Sequence, residues 1–423
     1  MAGWKLRARL SYDDGAGREI NGIGARHMAL GALIGAYQED EAGGLRALLP
    51  LAGQTLIEYQ ARCLAALGAA PVLVLVDRLP VALNDAFERL RGEGISVVAV
   101  SDANEAASRF EVGTDVILLA DGIAPDMTDV GRLGEEGSEP MILTVPDDDA
   151  HDAFERIDAT HRWAGLARLP AALVGATAAM IGDWDLQSTL LRRAVQSGTP
   201  LVPASSGEGA GPFLAEGEAM AGFERRLLLA SRGARSDWVS RFILPLVEEV
   251  ATERLMETRL RPEWLVRGAL VLTAGAALAF TRGWEWQGLV ALLLATPLDL
   301  VARRIALLRL RPLSPSLPSQ RLLWPAAGLA LVALGWFEAR HGGGWGAMVA
   351  ALAAVAFAEA MRIERATTEP PGALWLFSRR AAIWAAIPFA IGGWWNLYLA
   401  LIALYAAASF FIAQHVHHRV ARN

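Results

Sequence analysis

Cysteine and lysine are almost missing from this chain of 423 residues: Cys63 and Lys5 are the single examples of each. One cysteine excludes an internal disulfide and any metal cluster held by cysteines. The first ten residues carry Lys5, Arg7 and Arg9 with no apolar core behind them, so they do not read as a secretory signal. An excess of positive charge is also missing. The net charge is −6, and residues 1–261 alone carry −13. That acidity gives no support for a nucleic-acid partner.

What the chain does have is apolar sequence, 53% of its residues, concentrated toward the C-terminus. A bilayer core of about 30 Å needs about 20 apolar residues per helix. Six segments approach that length: Leu265–Phe280, Gly288–Leu308, Leu322–Phe337, Trp345–Met361, Leu374–Ile391 and Leu397–Ala413. From Pro262 onward there are 14 Arg against 7 acidic residues, so this part carries +7. The arginines gather in alternate connections. Arg309, Arg311 and Arg321 follow the second segment, with Arg303 and Arg304 near its end, and Arg362 and Arg365 follow the fourth, with Arg379 and Arg380 at the start of the fifth. The positive-inside rule then expects six spans in the inner membrane with both termini cytosolic, and Trp284, Trp286, Trp394 and Trp395 at the outer boundary.

The preceding residues read differently. Short β-branched runs at 71–76, 95–100 and 116–120, with another at 141–145, alternate with helical patterns at 56–67, 81–91 and 185–197. Strands alternating with helices predict an α/β doubly wound parallel sheet. Residues 204–219, rich in Gly, Ser and Glu, read as a loop. Between the two parts, Val239, Phe242, Ile243, Leu246 and Val247 are spaced for one apolar helical face, which predicts an amphipathic helix on the membrane surface over 236–262. The expected domains are therefore 1–235, the joining helix 236–262, and 263–423.

Three motifs carry a family resemblance. LRALLPLAGQTLIEYQ at 45–60 resembles the nucleotide-binding segment of sugar-nucleotide nucleotidyltransferases, through Pro50, Gly53, Leu56, Glu58 and Tyr59. Arg46 stands at that family's lysine. ILLADG at 117–122 resembles the strand whose terminal Asp holds the bridging divalent metal, at Asp121. The resemblance implies a GT-A-like nucleotidyltransferase-like fold, Arg46 and Gly53 as nucleotide-binding residues, and Asp121 as a Mg²⁺ ligand. Read from the residues alone, Arg46 is a solvated arginine and Asp121 a turn residue. The family's basic phosphate loop is replaced here by Gln38-Glu39-Asp40-Glu41, whose three acids would repel a triphosphate.

The third motif, Val239-Ser240-Arg241, resembles the segment leading into CDP-alcohol phosphotransferases that are fused to nucleotidyltransferases. That family's signature, D-x2-D-G-x2-A-R-x8-G-x3-D-x3-D, holds two divalent metals on four aspartates. Here only Asp299 and Arg304 match it. Thr296, Leu317 and Arg321 stand at the other three aspartates, Leu300 and Leu313 at the glycines, and no Asp occurs after residue 299. One carboxylate cannot build a two-metal site.

The whole chain most resembles bifunctional inositol-phosphate cytidylyltransferases joined to di-inositol-phosphate-phosphate synthases. The resemblance implies CTP and a CDP-alcohol as ligands and a homodimer or heterodimer through the membrane half. The expectation is a catalytically impaired scaffold or partner in phospholipid or inositol-phosphate metabolism. The alternative is an active transferase that uses Mg²⁺, with Asp299 and Arg304 as remnant catalytic residues and Asp299 as a metal ligand. Asp299 and Arg303 are also spaced as an i,i+4 ion pair. A six-span transporter is the third class, with few intramembrane polar groups to support it.

Overall fold

Two compact units divide the chain, Met1–Leu229 and Ala230–Asn423, so the boundary falls just ahead of the one expected at residue 235. The computed structural model describes residues 29–40, 42–135, 137–180, 185–205, 212–214, 219–231, 237–256, 258, 260–311, 318–367 and 373–420. Glu41, Leu313, Leu317, Met1–Leu10 and most of 204–219 lie outside the described residues, as do the side chains of Arg365, His417 and His418.

The first unit is α/β. Its strands are β1 (Leu30–Gly35), β2 (Pro50–Leu51), β3 (Gln54–Thr55), β4 (Val72–Leu75), β5 (Val97–Val100), β6 (Asp115–Leu119), β7 (Ile123–Ala124), β8 (Met141–Pro146), β9 (His161–Pro170), β10 (Leu201–Pro203) and β11 (Phe213–Leu214). Its helices are α1 (Leu56–Ala65), α2 (Val81–Arg91), α3 (Ala103–Ser108), α4 (Met127–Leu133), α5 (Ala171–Ala178), α6 (Leu186–Gln196) and α7 (Ala219–Ala230). The apolar runs become central strands because both faces are covered: all four residues of β4 and all five of β6 are buried.

Seven strands form one sheet in the order β10-β8-β9-β6-β1-β4-β5. The sheet is mixed, which corrects the parallel sheet expected. β9 runs antiparallel to both β6 and β8, while β1 pairs parallel with β4 and β6. β9 escapes a search for apolar runs because Arg168 sits within it. That arginine is buried only by virtue of its partners: Nε donates to Asp115 Oδ2 at 2.9 Å, and Nη1 donates to the carbonyls of Leu133 and Glu135 at 2.9 and 3.1 Å. One buried pair thereby ties β9 to β6 and to the end of α4.

The second unit is helical. After α8 (Trp238–Phe242) and α9 (Pro245–Met256) come α10 (Pro262–Thr281), α11 (Glu285–Leu308), α12 (Pro318–Glu338), α13 (Gly344–Thr367), α14 (Arg379–Gly392) and α15 (Trp395–Val420). The single amphipathic helix expected over 236–262 is not formed. Pro245 has no N–H and restrains Leu244 ahead of it, so the chain breaks there into α8 and α9. Val239 and Leu244 turn inward against Ala381, whereas Phe242, Leu246 and Val247 are exposed.

Three helical stretches among the described residues are long and apolar enough to cross a membrane: Pro262–Thr281, Pro318–Ile363 and Trp395–Val416. The second spans 46 residues and kinks at His341 and Gly342. It folds α13 back along α12, so closely that a Cβ at Gly335 would meet Ala351 Cβ at 2.5 Å. The fifth expected span is shorter than its apolar run. Ser378 caps α14, which begins at Arg379 and has 14 residues, a rise of about 21 Å. The unit packs small residues inward, among them Ala276, Ala330, Ala351 and Ala406, and turns Val271, Leu278, Leu329 and Leu404 outward. Small residues between helices and large apolar ones facing out suit a lipid surround.

The Arg168–Asp115 pair yields a test of the sheet. Asp115→Ala leaves a buried guanidinium without its counter-charge and costs about 3–5 kcal/mol. Thermal or denaturant unfolding followed by circular dichroism is the measurement.

Candidate functional site

In an α/β sheet the ligand crevice opens where successive crossovers leave a strand in opposite directions. Here that strand is β1: the chain runs from it to β4 and β5 on one side and returns to β6 on the other. The carboxyl ends of β1 and β6 carry Tyr37, Gln38 and Asp121. A cleft of about 510 Å³ opens there, lined by these three together with Arg46, Glu155, Trp163, Asp185 and Gln187.

Asp121 is 3% exposed. Its Oδ2 accepts the backbone N–H of Tyr37 and of Gln38, both at 2.6 Å, while its buried Oδ1 has no hydrogen-bond partner among the described residues. Burial pushes its pKa up to about 6, against the pull of those two N–H groups and of Arg46. Arg46 reaches the same cleft across Gly122. The positive φ of 70° there suits glycine, and an added Cβ would meet Arg46 Cδ at 3.1 Å. Arg46 also donates to the Glu39 carbonyl and to Gln38 Oε1, both at 3.3 Å.

The opposite wall is built from residues that sequence reasoning missed. Asp185 caps α6 by accepting the Ser188 N–H, and its Oδ1 accepts the Tyr37 hydroxyl at 2.8 Å. Burial, then the Asp185 charge, raises the Tyr37 pKa, so the phenol keeps its proton. Glu155 accepts the Ser188 hydroxyl at 3.1 Å, and burial first, then Asp185, raises its pKa. The sequence signal for Asp185 is its capping position before a helix. Nothing local shows that it faces Asp121.

The loop after β1 is closed on itself. Asp40 Oδ1 accepts the N–H groups of Ala42 and Gly44, at 3.0 and 2.7 Å. Asp40 N bonds to the Gly44 carbonyl, and Arg46 N to the Gln38 carbonyl. A phosphate cradle needs such N–H groups free, and here the chain's own carboxylate takes them. Glu39 pairs with Arg78 at 2.6 Å.

Gly53 does not line the cleft. Ala52 and Gly53 have φ of 50° and 75° and form the two-residue turn between β2 and β3 that requires such backbone. Glu58 of the same motif caps α1 through Thr55 and bonds to Arg89. Burial opposes its ionisation, but the Arg89 hydrogen bond and the Thr55 N–H outweigh it and lower its pKa.

The remaining site residues lie in the helical unit. Asp299 is 1% exposed. Its Oδ1 accepts from Arg303 Nε at 3.2 Å, as the i,i+4 spacing predicts, and its Oδ2 accepts from Arg379 at 2.9 Å and lies 3.6 Å from Arg380. Arg380 also pairs with Asp237 at 2.8 Å, and Asp237 caps α8. Thr296, at the place of the first signature aspartate, is buried and accepts the Trp384 indole N–H at 3.1 Å. Arg304 is buried, donating to Ser231 Oγ at 3.1 Å and to Glu248 at 3.4 Å. Each polar group in this cluster is met by another side chain, and Glu359 pairs with Arg362. Among the described residues no three His, Cys, Asp or Glu side chains converge to hold a metal ion.

No protein-family model matches the chain, and no curated protein matches it. Among solved structures, a nucleotidyl transferase from Methanothermobacter thermautotroptrophicus is similar at 21% identity and a TM-score of 0.31, over 42% of this chain and 88% of that one. A likeness of that degree carries no argument about the site, which stands on its own geometry.

Asp121 gives a pH signature. Its pKa is raised from 3.8 to about 6 on folding, so protonation favours the folded state. That stabilisation is complete below pH 3.8 and is lost as pH rises through 6. Asp121→Asn imitates the protonated form and keeps an acceptor for Tyr37 and Gln38. It should stabilise the protein by about 1–3 kcal/mol at pH 7.5, with the gain vanishing toward pH 4, as read by unfolding at both pH values.

Proposed function

We propose that this chain is a membrane-anchored protein of the nucleotidyltransferase/CDP-alcohol phosphotransferase architecture whose membrane unit performs no two-metal chemistry. It serves as a scaffold or partner in phospholipid or inositol-phosphate metabolism. The observation that carries this reading is Asp299 held by Arg303, Arg379 and Arg380. Three guanidiniums around one carboxylate supply the positive charge that divalent ions supply to a carboxylate cluster, and they repel such ions. The six-span arrangement with cytosolic termini in the inner membrane rests on the alternating arginines and the apolar stretches. Dimerisation through this unit remains part of the proposal.

A second reading concerns the soluble cleft alone, and the unpartnered Asp121 Oδ1 favours it. The mixed seven-stranded sheet with its flanking helices fits a nucleotidyltransferase-like domain. Mg²⁺ commonly binds through one or two carboxylates plus the ligand's phosphates, so Asp121 Oδ1 is a fitting donor. Bound there, Mg²⁺ would neutralise phosphate charge on a ligand such as CTP or a CDP-alcohol. Arg46 would face those phosphates, and Tyr37 and Asp185 would shape the opposite wall.

The test is CMP release from CDP-inositol and CDP-diacylglycerol by the detergent-purified chain with Mg²⁺. The expected result is none above a no-protein control. Asp299→Ala should lower stability by about 3–5 kcal/mol in the absence of any metal, since it strands buried guanidiniums. Mg²⁺-dependent CMP release that disappears in Asp299→Asn would overturn the scaffold reading.

A further inference from the structure

The cleft at the carboxyl ends of β1 and β6 is acidic at two separate places, and Tyr37 spans them. Its backbone N–H donates to Asp121 Oδ2 at 2.6 Å, and its hydroxyl donates to Asp185 Oδ1 at 2.8 Å. Ser188 ties a further carboxylate to the second place. Its N–H donates to Asp185 Oδ2 at 3.0 Å and its hydroxyl to Glu155 Oε2 at 3.1 Å. The rings of Tyr37, Phe154 and Trp163 belong to the same lining. Burial pushes the Asp121 pKa up to about 6 and raises that of Glu155, against the pull of Arg46 on the first and of Arg192 on the second. Neither arginine offsets the cost of burying its carboxylate.

Phosphate is opposed here by three lining carboxylates and by a loop whose N–H groups Asp40 has taken. A metal ion with no phosphate to complete its shell needs oxygens that converge. Among the described residues no three His, Cys, Asp or Glu side chains do so. Asp121 is 3% exposed, and its Oδ1, without a partner among the described residues, calls for a hydrogen-bond donor. An ammonium group brings three N–H donors together with positive charge, and aromatic rings attract such a cation. We propose that this cleft takes a linear aliphatic diamine as its dication, with one ammonium at Asp121 and the other at Asp185 and Glu155. The carbon chain lies along Tyr37, and the span of that residue sets the length of the ligand. A diamine differs from Mg²⁺ with phosphates in that the ligand itself is the cation, and the two exclude each other at Asp121.

The experiment is isothermal titration calorimetry of the detergent-purified full chain at neutral pH with diaminobutane, with butylamine, and with CTP plus Mg²⁺. Wild type should bind one diaminobutane per chain, about tenfold more tightly than butylamine. Asp121→Asn and Glu155→Gln should each bring diaminobutane down to the butylamine level. Glu88→Gln, which removes an exposed acid of α2 outside the cleft, should leave binding unchanged. A series of diamines of increasing length on wild type keeps the test independent of how the variants fold. Affinity should peak at one length and fall on either side, as a site with two fixed ends requires. Equal affinity for butylamine and diaminobutane, affinity indifferent to diamine length, or diamine binding that survives Asp121→Asn would each overturn the proposal. Binding of CTP with Mg²⁺ and of no diamine would overturn it in favour of the phosphate ligand, and binding of neither would overturn both.

Discussion

A carboxylate taken out of water must be given a counter-charge or a proton, and in this protein arginine is the usual answer. Asp115 is met by Arg168, Glu58 by Arg62 and Arg89, Asp237 by Arg380, and Asp299 by Arg303, Arg379 and Arg380. These pairs fix the architecture as well as the charge. Arg168 carries an antiparallel strand into the centre of a sheet whose neighbours run the other way. Arg379 and Arg380 bring the start of α14 onto α11, and Asp237 draws α8 to the same point. A divalent metal needs at least one carboxylate oxygen turned toward it, and at Asp299 both oxygens are engaged by arginines.

Asp121 departs from that pattern. Its Oδ2 holds the start of the loop after β1, yet its Oδ1 is buried without a partner, and its pKa rises accordingly. A group kept at a cost to stability, at the carboxyl ends of β1 and β6, is the mark of a ligand site. The adjoining loop gives the opposite signal, because Asp40 already occupies the N–H groups that a phosphate would use. The first unit thus leaves one carboxylate oxygen open at the cleft while the adjoining loop has its own N–H groups taken by Asp40.

Much of the fold is legible locally. The runs at 72–75 and 115–119 become strands where apolar residues cluster, and the helix over Val81–Arg91 has the bounds its periodicity predicts. What escapes is whatever depends on a distant partner. β9 is hidden because Arg168 reads as a surface residue until Asp115, 53 positions away, is placed beside it. The i,i+4 pair of Asp299 with Arg303 is visible in the sequence, but its bond to Arg379, 80 positions on, is not. Tyr37, Glu155 and Asp185 meet only because β1, the approach to β9 and the start of α6 end at one place. Gly53 shows the converse: a motif match whose residue serves a turn. Apolar spacing alone predicts one joining helix over 236–262, whereas Pro245 divides it into α8 and α9.

Counting bound manganese by electron paramagnetic resonance in the detergent-purified chain tests the central claim most directly. Mn²⁺ replaces Mg²⁺ at oxygen sites and its free form is quantified by its spectrum. If arginines have taken the place of metal in the helical unit, Asp299→Asn leaves the number of bound ions unchanged, and any ion that does bind is lost in Asp121→Asn. Two ions per chain that disappear together in Asp299→Asn would contradict the account.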